Sequence, residues 1–152
     1  MWQGRMFVTD RKKCFQRTES VYTCIAVGTA GMIGALLRYF CGWWMGTADG
    51  FPFGTLFVNM TGSFVLSVFS FTASRCKRIP SWFSAGISSG LIGSYTTFSA
   101  VSMETAELFR AQRWADGAGY VLLSLWGGLL MVWLGDRTSA VLAAAATKRR
   151  RR

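Results

Sequence analysis

Residues 90–102, GLIGSYTTFSAVS, set Gly90, Gly93, Ser94, Thr96, Thr97, Ser99 and Ser102 within an otherwise apolar stretch. Such residues sit poorly in a helix interior: glycine costs about 1 kcal/mol relative to alanine, and hydroxyls compete for backbone hydrogen bonds. Two structures answer this composition. A continuous helix can carry the hydroxyls on a packing face. A discontinuous helix instead loosens carbonyls that can hold a cation, while the N-terminus of its second half favours an anion. Asn59, in PFGTLFVNMTGSF, poses a parallel question, because an amide in apolar surroundings needs a partner. It either ties one helix to another or offers its two N–H donors to a small anion. Arg38 is the one charge embedded in an apolar span. Centring it in a bilayer would cost about 2.5–3.5 kcal/mol, so it either faces a water-filled vestibule or reaches for the interface with its long side chain.

Other chemistry is missing. The chain has no histidine, which removes the usual general base and the commonest transition-metal ligand. Cys14, Cys24, Cys41 and Cys76 form no CxxC pair and no zinc or redox spacing, and they read as small hydrophobes. Without an acid pair at catalytic spacing or an activated nucleophile, an enzyme is not expected.

The elements that must position these residues follow from charge distribution. The chain is 51% apolar and 16% charged over 152 residues, and its charges cluster between long uncharged blocks. A soluble domain intersperses its charges; blocks of this kind mark membrane spans. About 20 apolar residues cross the hydrocarbon core, and four segments qualify, at about 21–44, 53–74, 81–109 and 119–135. Pro52 and Pro80 stand just before the second and third, where a missing N–H is harmless. Trp43, Trp44, Trp82, Trp114 and Trp133 fall near span ends as interfacial anchors. Small residues four apart (Ala26, Ala30 and Gly34; Gly86 and Gly90; Ser124 and Gly128) predict close helix packing. The first span ends in Arg-Tyr-Phe rather than at a small-residue cleavage site, so it reads as a retained helix. The expected organisation is a disordered basic tail at 1–20, a four-helix transmembrane domain at 21–143 and a basic tail at 144–152.

The net charge of +10 does not point to nucleic acid, because the basic residues flank hydrophobic spans, where they meet anionic headgroups. With four spans both termini share a side. That side carries five basic residues before the first span, Arg75, Lys77 and Arg78 between the second and third, and Arg137 and Lys148 to Arg152 after the fourth. The other side has Arg110 and Arg113 only. Both termini are therefore expected in the cytoplasm, in a multi-pass protein of the cell membrane.

Four blocks together resemble the CrcB/Fluc family of fluoride channels: GMIGALLRY (31–39), PFGTLFVNMTGSF (52–64), GLIGSYTTFSAVSME (90–104), and Tyr120 with Ser124. They run from about residue 22 to 135 in family order, and GTLxVNxxGSF followed by GxxTTFS is their most specific part. The resemblance implies an all-α antiparallel dimer of four-helix subunits, each with its third helix broken mid-membrane. Two narrow pathways would relieve cytoplasmic fluoride passively. It further implies a structural sodium ion at the dimer centre, held by backbone carbonyls at positions matching Gly93 and Thr96. Asn59 and Phe98 match a pore-lining asparagine and the first of two paired phenylalanines. Tyr120 and Ser124 match part of a polar track, Thr97 and Ser99 adjoin the break, Arg38 matches a vestibule arginine, and Glu104 an acid near the third helix's end. These types suit fluoride, whose tight hydration must be replaced by amide and hydroxyl donors and by aromatic ring edges.

Three features depart from that pattern. Val101 stands at the second paired phenylalanine, Gly128 at a later serine of the track, and the charge asymmetry is strong for a subunit that must insert both ways up. Together they suggest an inverted homologous partner beside the alternative of a dual-topology homodimer. Two other functions are compatible with four short spans. A small multidrug-type proton antiporter needs a membrane-embedded carboxylate, for which only Glu104 in the first three spans is placed. A non-transporting assembly subunit would use the same small-residue rows.

Overall fold

A computed structural model of the chain describes residues 3–45, 50–76 and 79–150, with side chains from residue 19 to residue 145. Six α-helices and one π-helical stretch make up its elements, with no strand element among the described residues. Helix α1 spans Gln3–Met45 and α2 spans Phe53–Arg75. The third apolar segment is in pieces: α3 (Ser81–Ala85), a π-helical stretch (Gly86–Ile92), α4 (Gly93–Tyr95) and α5 (Phe98–Arg110). Helix α6 runs from Trp114 to Arg150.

Three segments are long and apolar enough to cross a membrane: Glu19–Met45, Phe53–Arg75 and Trp114–Ala145. They correspond to the first, second and fourth expected spans. No piece of the third reaches that length alone. Met32, Phe40, Leu122, Trp126 and Leu130 are all more than half exposed. Water would not tolerate so much contiguous apolar surface, whereas lipid solvates it.

The helices do not stop where hydropathy does. The backbone of α1 is helical from Gln3, through the stretch expected to be a disordered tail, and α6 continues to Arg150. Apolar content marks the membrane-facing part of a helix and says nothing of where its backbone ladder ends.

The prolines act as expected. Pro52 and Pro80 are the N-cap residues of α2 and α3, and their carbonyls accept from Leu56 and Ser84. At the far end of α5, Gln112 takes a left-handed conformation (φ 59°), with Gln112 N–H donating to Phe109 and Arg113 N–H to Leu108. This paired closure satisfies two carbonyls and reverses the chain within a few residues. The Phe109–Trp114 stack and the Arg113–Asp116 ion pair at 2.7 Å fasten the corner. Helix α6 therefore returns directly along α5.

Two seams hold the bundle: α1 against the π-helical stretch, and α2 against α6. At the first, the small-residue rows meet as expected. A Cβ on Gly86 would lie 3.2 Å from Ala26 Cβ, and one on Gly90 would lie 2.7 Å from the Val27 carbonyl. Gly34 is tighter still, its missing Cβ directed at the backbone of Leu91 and Tyr95. Gly34→Ala is therefore expected to push α1 from the third segment and cost about 1–3 kcal/mol, measured as a fall in thermal unfolding temperature in detergent. At the second seam the closely packed glycines are Gly127, against Met60, and Gly135, against Ser67 and Phe64. Gly128, expected in a packing row, has looser contact: a Cβ there would lie 3.9 Å from Ser63 Oγ on α2.

Candidate functional site

The polar run at 90–102 is a broken helix. Thr96 (φ −80°, ψ 157°) and Thr97 (φ −149°, ψ 126°) are extended, separating α4 from α5. Asn59 holds the break open from α2. Its Nδ2 donates to the Thr97 carbonyl at 2.9 Å, and its Oδ1 accepts from Thr97 N–H at 2.8 Å. Glue and donor were alternatives in the sequence; the geometry shows Asn59 tying α2 to the break, and one Nδ2 proton remains beyond the clamp.

The clamp has a consequence for two carbonyls. In a continuous helix Thr97 N–H would bond Gly93 O, and Ala100 N–H would bond Thr96 O. Here Thr97 N–H goes to Asn59, and Ala100 N–H goes to the Thr97 hydroxyl at 3.2 Å. The carbonyls of Gly93 and Thr96 therefore lose their helical donors. Meanwhile Thr97 caps α5, and its hydroxyl also pairs with Ser99 at 3.2 Å. The N-terminus of this 13-residue helix, with its positive dipole end, lies at the break.

A groove of about 450 Å³ runs beside the break. Its lining includes Asn59, Ser63, Thr96, Thr97, Phe98 and Ser124, with Val101 on the same wall. Phe98 is 84% exposed, standing at the open side of the groove. Ser124 Oγ is buried without a hydrogen-bond partner. Amide, hydroxyls and an aromatic ring with a positive edge thus converge where water could be replaced by donors.

Not every expected residue belongs to this groove. Tyr120 is 0% exposed and lies in the core with Leu56 and Leu108, edge-on to Phe51. Its hydroxyl donates to Glu104 Oε2 at 2.6 Å, while Thr55 donates to Oε1 at 2.6 Å. Glu104 therefore joins α2, α5 and α6 at one carboxyl group. Arg38 is half-buried on α1 and outside the groove lining, with no ion pair or hydrogen bond among the described residues. Ser99 is exposed and reaches the site only through Thr97.

Sequence reasoning missed Thr55 and Ser63. Both sit in the quoted α2 block, Thr55 four residues before Asn59 and Ser63 four after, a spacing that puts all three on one helical face. It also missed a second cavity, of about 270 Å³, lined by Leu37, Cys41, Thr61, Leu91 and Tyr95. There the Tyr95 hydroxyl bonds Thr61 Oγ1 at 3.0 Å and donates to Cys41 Sγ at 3.8 Å.

Known proteins resemble the chain across this same core. The family described as CrcB-like protein, Camphor Resistance (CrcB), matches residues 25–136. A protein of Geobacillus kaustophilus named fluoride-specific ion channel FluC 2 is 49% identical over 113 residues, covering 73% of this chain and 88% of its own length. One of Bacillus anthracis, fluoride-specific ion channel FluC 1, is 40% identical over 116 residues, covering 73% and 82%. Another, fluoride-specific ion channel FluC 2 of Listeria monocytogenes, is 40% identical over 113 residues, covering 74% and 87%. These names describe channels and not enzymes, in line with the expectation from residue types. The match spans all the elements that build the groove and the break, and the chain belongs to the CrcB family.

Proposed function

We propose that the chain is a subunit of a fluoride-specific channel that lowers cytoplasmic fluoride by passive export. The observation that carries this is the Asn59-clamped break, which joins a donor-lined groove to the N-terminus of α5. The fluoride-channel names of relatives up to 49% identical supply the ion. Fluoride would exchange its water for the free Nδ2 proton of Asn59, the hydroxyls of Thr97 and Ser124, and the ring edge of Phe98, with Tyr120 and Glu104 fixing the helices around them. Ser99 and Arg38 would act at the approaches.

In this proposal the pieces from Ser81 to Arg110 cross the membrane as one interrupted third span, and two subunits assemble antiparallel. The carbonyls of Gly93 and Thr96, stripped of their helical donors, suit a hard cation that takes oxygen ligands. They would hold a structural sodium ion, which when bound supplies positive charge that keeps the loosened backbone in place.

The test is fluoride efflux from liposomes holding the purified protein, read with a fluoride electrode and with chloride as control. A fluoride-selective leak is expected, and Phe98→Ile is expected to lower it. Liposomes that retain fluoride, with and without a candidate partner subunit, would reject the channel. The one-sided basic residues further favour an inverted homologous partner, with both termini of this chain cytoplasmic. Expressed alone, the C-terminus should be shielded from membrane-impermeant label added outside; appreciable labelling from both sides would instead support a dual-topology homodimer.

A further inference from the structure

The break is gripped from α2 on both sides of Thr96. Asn59 holds Thr97 by both of its backbone groups. Two residues further along α2, Thr61 lies on another face of the helix and meets Tyr95, with its Oγ1 3.0 Å from the Tyr95 hydroxyl. Thr61 donates its own proton to the Phe57 carbonyl at 2.8 Å, so its oxygen is the acceptor in the pair with Tyr95. The Tyr95 proton also faces Cys41 Sγ on α1, at the longer distance of 3.8 Å. Tyr95, the last residue of α4, is therefore tied to both α1 and α2.

That tie falls where little else fixes the backbone. Helix α4 is three residues long, and the chain leaves it as extended backbone at Thr96. Thr96 N–H and Oγ1 both reach back to the Ile92 carbonyl, at 3.0 and 3.1 Å, but Thr97 N–H has gone to Asn59 and no longer ties to Gly93. Packing closes one side of the Tyr95 ring, where a Cβ on Gly62 would lie 3.3 Å from its Cδ1. The other side borders the cavity of about 270 Å³, whose lining includes the apolar side chains of Leu37, Val65, Leu91 and Ile92. A void supplies no contacts, so packing alone does not hold the ring on that side. Its place depends on the hydroxyl, which in lipid has no water to turn to instead.

We infer that Tyr95 is a positioning residue for the cation site, its hydroxyl setting the Gly93 and Thr96 carbonyls by anchoring α4 on Thr61 and Cys41. This rests on the proposal that those carbonyls hold a sodium ion. Tyr95 shares α4 with Gly93 and a peptide bond with Thr96, so a ring that swings into the cavity carries both oxygens with it. Groups that orient metal ligands tune affinity without touching the metal. Asn59 fixes the far side of Thr96 in the same way, and the two anchors together define the backbone between them.

The experiment follows thermal unfolding of the full chain in detergent, with its partner subunit where assembly needs one. Sodium chloride is varied against N-methylglucamine chloride at constant ionic strength. Sodium should raise the unfolding temperature of the wild type, since a ligand of the folded state stabilises it. Tyr95→Phe keeps the ring and loses the hydroxyl. The sodium concentration needed for a given rise over the sodium-free value should then increase about three- to tenfold, the effect of one hydrogen bond. Thr61→Val, which keeps the branched shape and loses the oxygen, should shift it likewise, and Thr61→Ser should stay within about twofold of wild type. A purely structural hydroxyl would instead lower the unfolding temperature equally at every sodium concentration, and that result in Tyr95→Phe overturns the inference. Should Tyr95→Phe fail to fold, Thr61→Val decides by the same two outcomes. A wild type indifferent to sodium overturns the sodium reading and the positioning role together. A sodium-dependent wild type whose response Tyr95→Phe leaves unchanged overturns the positioning role alone.

Discussion

Asn59→Leu is expected to cost about 2–6 kcal/mol of stability and to abolish fluoride efflux, because it strands both backbone groups of Thr97 at about 1–3 kcal/mol each. Leucine shares asparagine's branched shape but can neither accept from Thr97 N–H nor donate to Thr97 O, the two bonds that Asn59 makes at 2.8 and 2.9 Å. Lipid offers no water to take their place. The chain can recover part of the loss only by returning Thr97 N–H to Gly93 O, which closes the break and withdraws that carbonyl. Either outcome removes the geometry that the groove depends on. Asn59→Asp should fall between, since it keeps the acceptor for Thr97 N–H and loses the donor. Thermal unfolding in detergent, followed by the fluorescence of the seven tryptophans, gives the stability ranking, and liposome efflux gives the function. A leucine variant that melts and conducts like wild type would show that the break needs no clamp.

The second large effect is expected at Glu104. Its two carboxyl oxygens accept from Thr55 on α2 and Tyr120 on α6, both at 2.6 Å, so a single side chain ties three walls of the groove. Glu104→Ala leaves two hydroxyls without their acceptor, and Tyr120, at 0% exposure, cannot turn to solvent. A loss of about 2–6 kcal/mol follows from two stranded polar groups. Tyr120→Phe is the narrower probe: the ring keeps its edge-on contact with Phe51 at 5.5 Å, and only one donor to Glu104 disappears. Its cost should be about 1–3 kcal/mol. Glu104→Gln should be mildest, because its amide can both accept from one hydroxyl and donate to the other. The expected order in unfolding temperature is Gln above Phe above Ala. If Glu104→Gln proved as damaging as Glu104→Ala, the negative charge rather than the hydrogen-bond geometry would be what matters at this position.

Both effects involve polar residues whose presence was plain in the sequence and whose partners were not. Composition alone located the three long apolar helices, since hydropathy is a sum over neighbours and survives any packing. Pro52 and Pro80 marked helix starts because the missing N–H is a covalent property. The glycines and hydroxyls of 90–102 marked a segment that could be either a continuous helix with a polar face or a broken one. Resemblance placed Gly93, Thr96 and Phe98 at its break, and Thr96 and Thr97 are extended there.

What only the tertiary structure decided is where each hydrogen bond goes. Asn59 and Thr97 are 38 residues apart, and Thr55 and Glu104 are 49 apart; no local pattern encodes which donor meets which acceptor across such distances. The same holds for Tyr120, whose hydroxyl is fixed on Glu104, and for Gly128, whose packing neighbour is Ser63. The π-helical stretch at Gly86–Ile92 lies where α1 packs closely, at Gly90 and Gly34. The amino-acid order by itself determined a membrane-embedded helical chain with a polar weak point in its third apolar segment. Folding decided that the weak point is a clamped break, because in lipid every polar group must find its partner inside the protein, and only the packed helices specify which partner is within reach.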